Sequence, residues 1–167
     1  DVLSLMEYSQ KNSVPLLARG GGSSQCGQTV GESVVLDYSK HQNKILELNV
    51  EEKYVWVQPG VVLDHLNAYL KPHGLWFPVD VSTSSRATIG GMSANNSCGS
   101  RSLYYGNMVH NVLAIEAILD DGSIFNFDQI NKNYLATKNN QDRLYKIIDK
   151  FIDCLLYTSD AADERSC

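Results

Sequence analysis

The stretch Arg19-Gly20-Gly21-Gly22-Ser23-Ser24 follows a short apolar segment, residues 14–18, which has the pattern of a strand. Glycine lets the backbone approach a ligand closely and adopts positive φ without strain. Successive amides in such a turn form a concavity that binds anions. A flexible linker would be wider and more polar than this stretch. We therefore predict that residues 19–24 bind a phosphate group at the end of a strand.

A second cluster, Arg86-Ala87-Thr88-Ile89-Gly90-Gly91-Met92-Ser93-Ala94-Asn95-Asn96-Ser97-Cys98-Gly99, combines glycine with hydroxyl and amide side chains. We interpret it as a packed loop, because the glycine-rich part starts at apolar Ile89 and ends before an apolar strand. Two such loops indicate a long, phosphate-bearing ligand held at two points. Neither has the spacing GxGxxG or GxxxxGK[ST], which disfavours the Rossmann fingerprint and the P-loop. Arg19 is open to two interpretations, a phosphate ligand or a brace for the loop.

The composition is that of one ordinary domain. The 167 residues are enough for a single core. The net charge of −5 and the scattered basic residues disfavour a nucleic-acid partner. No apolar run reaches the about 18 residues of a membrane span, and no signal peptide is recognised. The four cysteines lack CxxC spacing, so we expect no metal site and no disulfide framework, as in a reducing, cytoplasmic compartment.

Helix-period and strand-period patterns alternate along the chain, which favours α+β architecture. Residues 2–12, 62–71 and 144–152 have helical periodicity, and Leu63, Leu66 and Leu70 share one face of the second helix. Strands are predicted at residues 14–18, 33–36, 44–48, 53–58, 112–119 and 124–127. We expect the third and fourth strands to form one hairpin and the last two another. The strand over residues 112–119 has the composition of a buried strand.

The two ends of the chain carry separate expectations. The chain begins with Asp1 rather than Met, so we expect the natural N-terminus to be missing. Residues 154–167 resemble one reading frame of a transposon-end sequencing adapter. We therefore expect native sequence to stop at Asp153 and residues 154–167 to be read-through.

An ordered set of motifs identifies a family. The set is Arg19-Gly20-Gly21-Gly22-Ser23-Ser24, Gln58-Pro59-Gly60, Phe77-Pro78-Val79-Asp80, Ala87-Thr88-Ile89-Gly90-Gly91, Tyr105-Gly106, Asn111-Val112-Leu113 and Leu119-Asp120-Asp121-Gly122. Over residues 1–128 it resembles the FAD-linked oxidase family, whose members include vanillyl-alcohol oxidase. The resemblance implies a PCMH-type FAD-binding domain of two α/β subdomains, partial over residues 1–153 and incomplete at both ends. Residues 80–92 are most similar to bacterial proteins that join this domain to a C-terminal iron–sulfur module.

The resemblance also implies a set of cofactor contacts. Residues 19–24 would wrap the FAD pyrophosphate, and residues 78–83, 88–91 and 95–99 would line the ribityl and isoalloxazine side. Some relatives carry a histidine at the position of Ser23 that bonds covalently to the flavin. Serine has no imidazole nitrogen, so we expect non-covalent FAD. The implied cofactor-binding residues are Arg19, Gly20, Gly21, Gly22, Ser23, Ser24, Pro78, Asp80, Thr83, Thr88, Gly90, Gly91, Asn95, Ser97, Gly99 and Val112.

The implied activity is oxidation of a D-2-hydroxy acid, such as D-lactate, glycolate or D-2-hydroxyglutarate, by hydride transfer to flavin. Electrons would pass to an iron–sulfur centre in a C-terminal part beyond this chain, to a quinone or to a cytochrome. The cytoplasm, or the inner face of a membrane, is the expected location. The alternatives are oxidation of another alcohol or an aldonolactone, or a cofactor-free binding domain. Substrate and base residues would lie in a later domain, and the catalytic residues stay unassigned.

The histidines offer little support for a catalytic role within the chain. His65 and His73 are expected at the surface, on a helix and in a turn. His110 lies between the second glycine cluster and a strand, where it could approach the cofactor.

Overall fold

The computed structural model describes residues 1–127. Residues Asp1–Asn126 form one compact unit, and the other unit, Phe127–Cys167, is described at Phe127 alone. The predicted helix over residues 144–152 and the predicted boundary after Asp153 lie outside the described residues. Helices and strands are mixed along the described chain, which confirms the α+β prediction. Over residues 1–127, no helix has the length and apolar character needed to cross a bilayer.

The first glycine cluster follows the first strand of a parallel pair. Strand β1 (Leu16–Arg19) pairs in parallel with β2 (Val34–Asp37), in a register that sets Arg19 opposite Asp37. The residues between the strands therefore start at the carboxyl end of β1 and must return to the amino end of β2. This topology places residues 20–24 beyond the carboxyl edge of the pair, where ligands bind in many open sheets.

The predicted hairpin in the middle of the unit is confirmed. Strand β3 (Ile45–Asn49) pairs antiparallel with β4 (Tyr54–Val57), with a register shift between Ile45 and Glu47. Its inner residues Ile45, Leu48 and Val55 pack against a core cluster around Leu66. The hairpin therefore supports the helix that follows it.

Helix α1 (Val2–Asn12) agrees with the predicted helix, and β5 (Ile115–Ile118) pairs with β6 (Ile124–Phe127) as the predicted hairpin. The prediction that the strand over residues 112–119 is buried is wrong. Ile115 and Ile118 are 41% and 40% exposed. The apolar run is suited to a strand covered on both faces, but the described residues place a single neighbouring strand beside it.

The core is built on α2 (Leu63–Leu70), whose three leucines on one face are buried as their spacing predicts. Leu66 and Leu70 pack with Val61, while Leu63 packs with a second cluster that includes Val79 and Met92. The 3₁₀ turn Lys71–His73 and Gly74, which has φ 69°, then end the helical segment. These two clusters fix the segment that carries the second glycine cluster.

The prediction that the second glycine cluster is a loop is wrong for its central part. Residues Ile89–Ala94 form helix α3, and two further short helices follow, α4 (Ser102–Tyr105) and α5 (Met108–Asn111). Glycine disfavours helix by about 1 kcal/mol relative to alanine, but Gly90 packs on Pro59. A Cβ at Gly90 would lie 2.5 Å from the Pro59 Cβ. Tertiary contact therefore overrides local propensity here.

Candidate functional site

A cleft of about 270 Å³ lies where the two glycine clusters meet. One wall comes from the segment that follows β1, and the other comes from the segment that leads into and through α3. Most of the predicted site residues line it, namely Arg19, Gly20, Gly21, Gly22, Ser23, Ser24, Thr83, Thr88, Gly91, Asn95 and Ser97. The two clusters predicted to act together therefore share one cleft.

The first wall presents backbone donors. Within the part of the chain that the structure describes, the N–H groups of residues 20–24 donate no hydrogen bond to a protein acceptor. Gly22 has φ 63°, which suits glycine and turns the chain at the cleft. Consecutive unpaired N–H groups in a turn are the arrangement that binds an anion. This wall can therefore accept negatively charged oxygens without a cationic side chain.

The second wall contributes a buried hydroxyl without a partner. Thr88 is 2% exposed, and its Oγ1 makes no hydrogen bond among the described residues. Thr88 precedes α3 at the N-cap position, but its side chain does not cap the helix. An unsatisfied buried hydroxyl costs about 1–3 kcal/mol. The same residue lines the cleft.

The two walls touch through glycines. A Cβ at Gly20 would overlap Thr88 Oγ1, and a Cβ at Gly21 would overlap the Arg86 carbonyl oxygen. Any side chain at these positions would push the walls apart or fill the cleft. The glycines therefore set the close approach on which the cleft depends.

Arg19 braces the base of the cleft. Its guanidinium Nη2 lies 3.2 Å from Asp37 Oδ2 across the parallel strand pair. Asp37 Oδ1 also accepts hydrogen bonds from the Ser39 N–H (3.0 Å) and Ser39 hydroxyl (2.6 Å). These bonds, the Ser39 hydroxyl first, hold the pKa of the Asp37 carboxyl below its ordinary value, and Arg19 adds to the effect. In the described structure the Arg19 guanidinium pairs with the Asp37 carboxylate rather than with loop carbonyls, and its contact with phosphate stays a prediction.

Five predicted site residues do not line the cleft: Pro78, Asp80, Gly90, Gly99 and Val112. Gly90 packs on Pro59, and Val112 packs on the cluster around Leu63. Gly99 lies against the Asp80 backbone, where a Cβ would overlap the Asp80 carbonyl oxygen. The contact of all five with a cofactor stays a prediction.

Asp80 organises the turn that follows the second cluster. It accepts hydrogen bonds from the Ser100 hydroxyl (2.7 Å) and the Arg101 N–H (3.0 Å), and it pairs with the Arg101 guanidinium (3.5 Å). The Arg101 N–H, followed by the Ser100 hydroxyl, lowers the pKa of the Asp80 carboxyl. Asp80 therefore stays ionised and holds residues 99–101 in place.

Sequence reasoning missed several lining residues. Gln28 reaches across the cleft, and its Nε2 donates to Asn95 Oδ1 at 3.4 Å. Gln28 and Thr29 follow the first glycine cluster closely, and their polar side chains could have identified them as part of the site. The apolar residues gave no such indication, because alanine and methionine resemble ordinary core residues. The missed residues are Ala18, Gln28, Thr29, Ala87, Met92 and Ala94.

The four histidines, and the cysteines Cys26 and Cys98 of the described part of the chain, do not line the cleft. His65 and His73 are exposed, as predicted. His110 does not line the cleft, and its Nδ1 accepts a hydrogen bond from the Asn107 N–H at 3.1 Å. Cys26 and Cys98 are free and exposed.

A cleft lined by glycine amides and hydroxyls between two segments of an α+β unit is the arrangement expected of a domain that binds a phosphate-bearing cofactor. The chain belongs to the FAD binding domain family, whose match extends over residues 1–128. FAD is therefore the cofactor that family membership assigns.

Two curated relatives and one solved structure are similar to the chain. It is 43% identical over 130 residues to D-2-hydroxyglutarate dehydrogenase of Haemophilus influenzae, covering 78% of this chain and 13% of that protein. It is 41% identical to mitochondrial D-lactate dehydrogenase [cytochrome] of Kluyveromyces lactis, covering 74% of this chain and 22% of that protein. Alkyldihydroxyacetonephosphate synthase matches with TM-score 0.68 and 24% identity over 80% of this chain and 25% of that one. This structural match shows the fold, and in every comparison the chain spans a small part of its relative.

Proposed function

We propose that the cleft binds the pyrophosphate of FAD without a covalent bond. The observation that carries the proposal is the buried, unpaired Thr88 hydroxyl beside Gly20, the first of a row of N–H groups at residues 20–24 that have no protein acceptor in the described structure. Both features are hydrogen-bond donors that gain a partner when phosphate oxygens enter. A cofactor-free binding domain would leave this hydroxyl and these amides without a purpose.

The size of the cleft supports the diphosphate rather than the whole cofactor as its occupant. The cleft of about 270 Å³ lies at or below the range of roughly 300–1,000 Å³ for complete small-molecule sites. A dinucleotide would therefore extend beyond it at both ends. The predicted contacts at residues 78–80 and at Val112 belong to such extensions.

In this proposal the two walls contribute different hydrogen-bond donors to the diphosphate. The N–H groups of residues 20–24 hold phosphate oxygens, and the Thr88 hydroxyl adds a donor from the opposite side. The apolar side chains of Val81, Ala87 and Met92 exclude water around these bonds, which strengthens them. Bound FAD supplies the redox chemistry, acceptance of a hydride, while this chain contributes binding and orientation.

For the intact protein we propose oxidation of a D-2-hydroxy acid. The relatives named above are a D-2-hydroxyglutarate dehydrogenase and a D-lactate dehydrogenase, and both names favour this substrate class over an alcohol or an aldonolactone. Transfer of electrons to an iron–sulfur centre, a quinone or a cytochrome belongs to the same proposal. A cytoplasmic location, or one at the inner face of a membrane, is also part of this proposal. We further propose that residues 154–167 are adapter read-through rather than native sequence.

A fluorescence titration of the 167-residue chain with FAD tests the cofactor proposal. Flavin fluorescence and anisotropy should change in a saturable way, and unlabelled ADP-ribose, which carries the same bridged diphosphate, should compete. The Gly21→Ala variant is expected to weaken binding, because its Cβ would meet the Arg86 carbonyl. Gly31→Ala is the matched control, since its nearest neighbour would be Ser33 Oγ at an ordinary 3.6 Å. Absence of saturable binding by the folded wild-type chain would contradict the proposal.

A further inference from the structure

Asp37 does not line the cleft, but its carboxylate neutralises the charge of Arg19, which does. Among the side chains that line the cleft, Arg19 is the one formally charged group in the described part of the chain. Its guanidinium is engaged by Asp37 at 3.2 Å, and both side chains are partly shielded, at 36% and 26% exposure. The pair therefore has no net charge, and the cleft is left with neutral donors.

The carboxylate is held in position for this task. Ser39 donates two hydrogen bonds to Asp37 Oδ1, which leaves Oδ2 directed to Arg19. Strand register adds a second constraint, because Arg19 and Asp37 are direct partners in the parallel pair. Asp37 is therefore a fixed acceptor rather than a mobile surface charge.

The Arg19 side chain lies close to the cofactor segment. Its Cδ would be 3.5 Å, and its Nε 3.9 Å, from a Cβ built at Gly22. The aliphatic part thus runs along the turn at Gly22, and the charged end terminates on Asp37. Released from Asp37, the guanidinium would be within reach of an anion bound at residues 20–24.

We propose that Asp37 is a specificity-determining residue, which retains the Arg19 guanidinium so that the cleft accepts a bridged diphosphate in preference to a terminal phosphomonoester. This inference rests on the proposed function. Each phosphorus of a bridged diphosphate carries one negative charge, which N–H and hydroxyl donors can satisfy. A phosphomonoester concentrates about −1.5 to −2 charges on one phosphorus at pH 7, and that charge requires a cation. Because Asp37 retains the Arg19 guanidinium, the cleft has a lower affinity for a phosphomonoester than for a bridged diphosphate.

The test compares FAD with FMN, which ends in a phosphomonoester, on the full 167-residue chain. Asp37→Asn keeps the shape of the side chain and removes its charge. Because the released guanidinium can form a charge-assisted hydrogen bond with the monoester, we expect FMN affinity to rise at least about tenfold relative to FAD. The gain should disappear at high salt, since the released guanidinium is partly exposed. Glu51→Gln, an equal charge change in the turn between β3 and β4, should leave the FMN-to-FAD ratio unchanged.

The Arg19→Gln/Asp37→Asn double variant guards against a folding defect in the single variant. It should retain the wild-type FMN-to-FAD ratio and wild-type FAD affinity within about twofold, because the two charges cancel in the wild type. An unchanged ratio in Asp37→Asn overturns the inference while FAD binding by the wild type leaves the proposed function intact. A tenfold loss of FAD affinity in the double variant overturns it as well, since Arg19 would then be a direct phosphate ligand. Failure of the wild type to bind FAD would instead remove the proposed function.

Discussion

Gly20 and Thr88 approach each other so closely that a Cβ on Gly20 would overlap the Thr88 hydroxyl oxygen. The two residues come from different glycine clusters, and their contact brings the donors of both onto one cleft. Thr88 is buried, and its hydroxyl lacks a partner among the described residues. The absence of a side chain at Gly20 therefore leaves room for the Thr88 hydroxyl at the point where the two glycine clusters meet.

Gly20→Ala should damage both folding and binding. The new methyl group would enter a packed contact, and overpacking of this kind destabilises by about 1–3 kcal/mol. We expect the free energy of unfolding to fall by this amount and FAD affinity to fall at least tenfold. Urea denaturation and flavin fluorescence measure the two effects. Gly31→Ala, where a methyl group meets an ordinary contact, should leave both nearly unchanged, and equal effects in the two variants would contradict the steric argument.

Thr88→Val should separate stability from binding. Valine has nearly the shape of threonine but no hydroxyl, so the variant no longer buries an unsatisfied polar group. The free energy of unfolding without cofactor should rise by about 1 kcal/mol, while FAD affinity should fall about fivefold to tenfold. Thr88→Ser keeps the hydroxyl and should retain most of the affinity. A loss of stability together with unchanged FAD binding would show that the hydroxyl has no ligand.

The Ser39–Asp37 contact predicts a pH-dependent stability. The pKa of Asp37 lies below its ordinary value of 3.8, with the Ser39 hydroxyl as the largest cause. The ionised carboxylate therefore stabilises the fold above pH 3.8, and this contribution disappears as the pH falls through the folded pKa. Ser39→Ala should raise the Asp37 pKa toward its ordinary value. The variant should be less stable than the wild type at neutral pH, and the difference should shrink in strong acid.

Two measurements check this pH prediction. Carbon-13 NMR titration of the carboxyl groups follows Asp37 directly, and urea denaturation at neutral and acidic pH follows the stability difference. A difference in the free energy of unfolding that stays constant with pH would mean that Ser39 acts through packing rather than through Asp37.

Acid precipitation tests whether the cofactor is covalently attached. Ser23 lines the cleft, and the family resemblance implies that some relatives carry a flavin-linking histidine at this position. A serine hydroxyl cannot form that histidyl bond. We expect precipitation of the FAD-loaded protein to release all flavin into the supernatant. Flavin absorbance retained in the washed pellet would contradict non-covalent binding.

The elements with regular apolar spacing could be predicted from the sequence. Leu63, Leu66 and Leu70 repeat with the helical period, and their helix has the expected buried face. That the two glycine clusters share one cleft was also predictable, because both combine glycines with small polar side chains. Local sequence is sufficient for the helix because its buried face follows a repeated pattern, and for the clusters because their similar composition indicates a common ligand.

Contacts between distant residues could not be predicted in the same way. The helix at Ile89–Ala94 depends on the packing of Gly90 against Pro59. The helix propensity of the local sequence gives no indication of this contact. The role of Arg19 depended on the register of β1 against β2, which alone brings Asp37 opposite it. Ile115 illustrates the converse, because an apolar run indicates a strand but does not specify how many layers cover it.

The most direct test of the central claim is a ¹H–¹⁵N NMR titration of the 167-residue chain with FAD. The amides of residues 20–24, which have no protein acceptor in the described structure, should move downfield as phosphate oxygens accept their hydrogen bonds. The Thr88 amide should shift with the same saturation curve, whereas amides of the β3–β4 hairpin should stay in place. Saturable FAD binding that leaves the amides of residues 20–24 unshifted would contradict the assignment of this cleft to the FAD pyrophosphate.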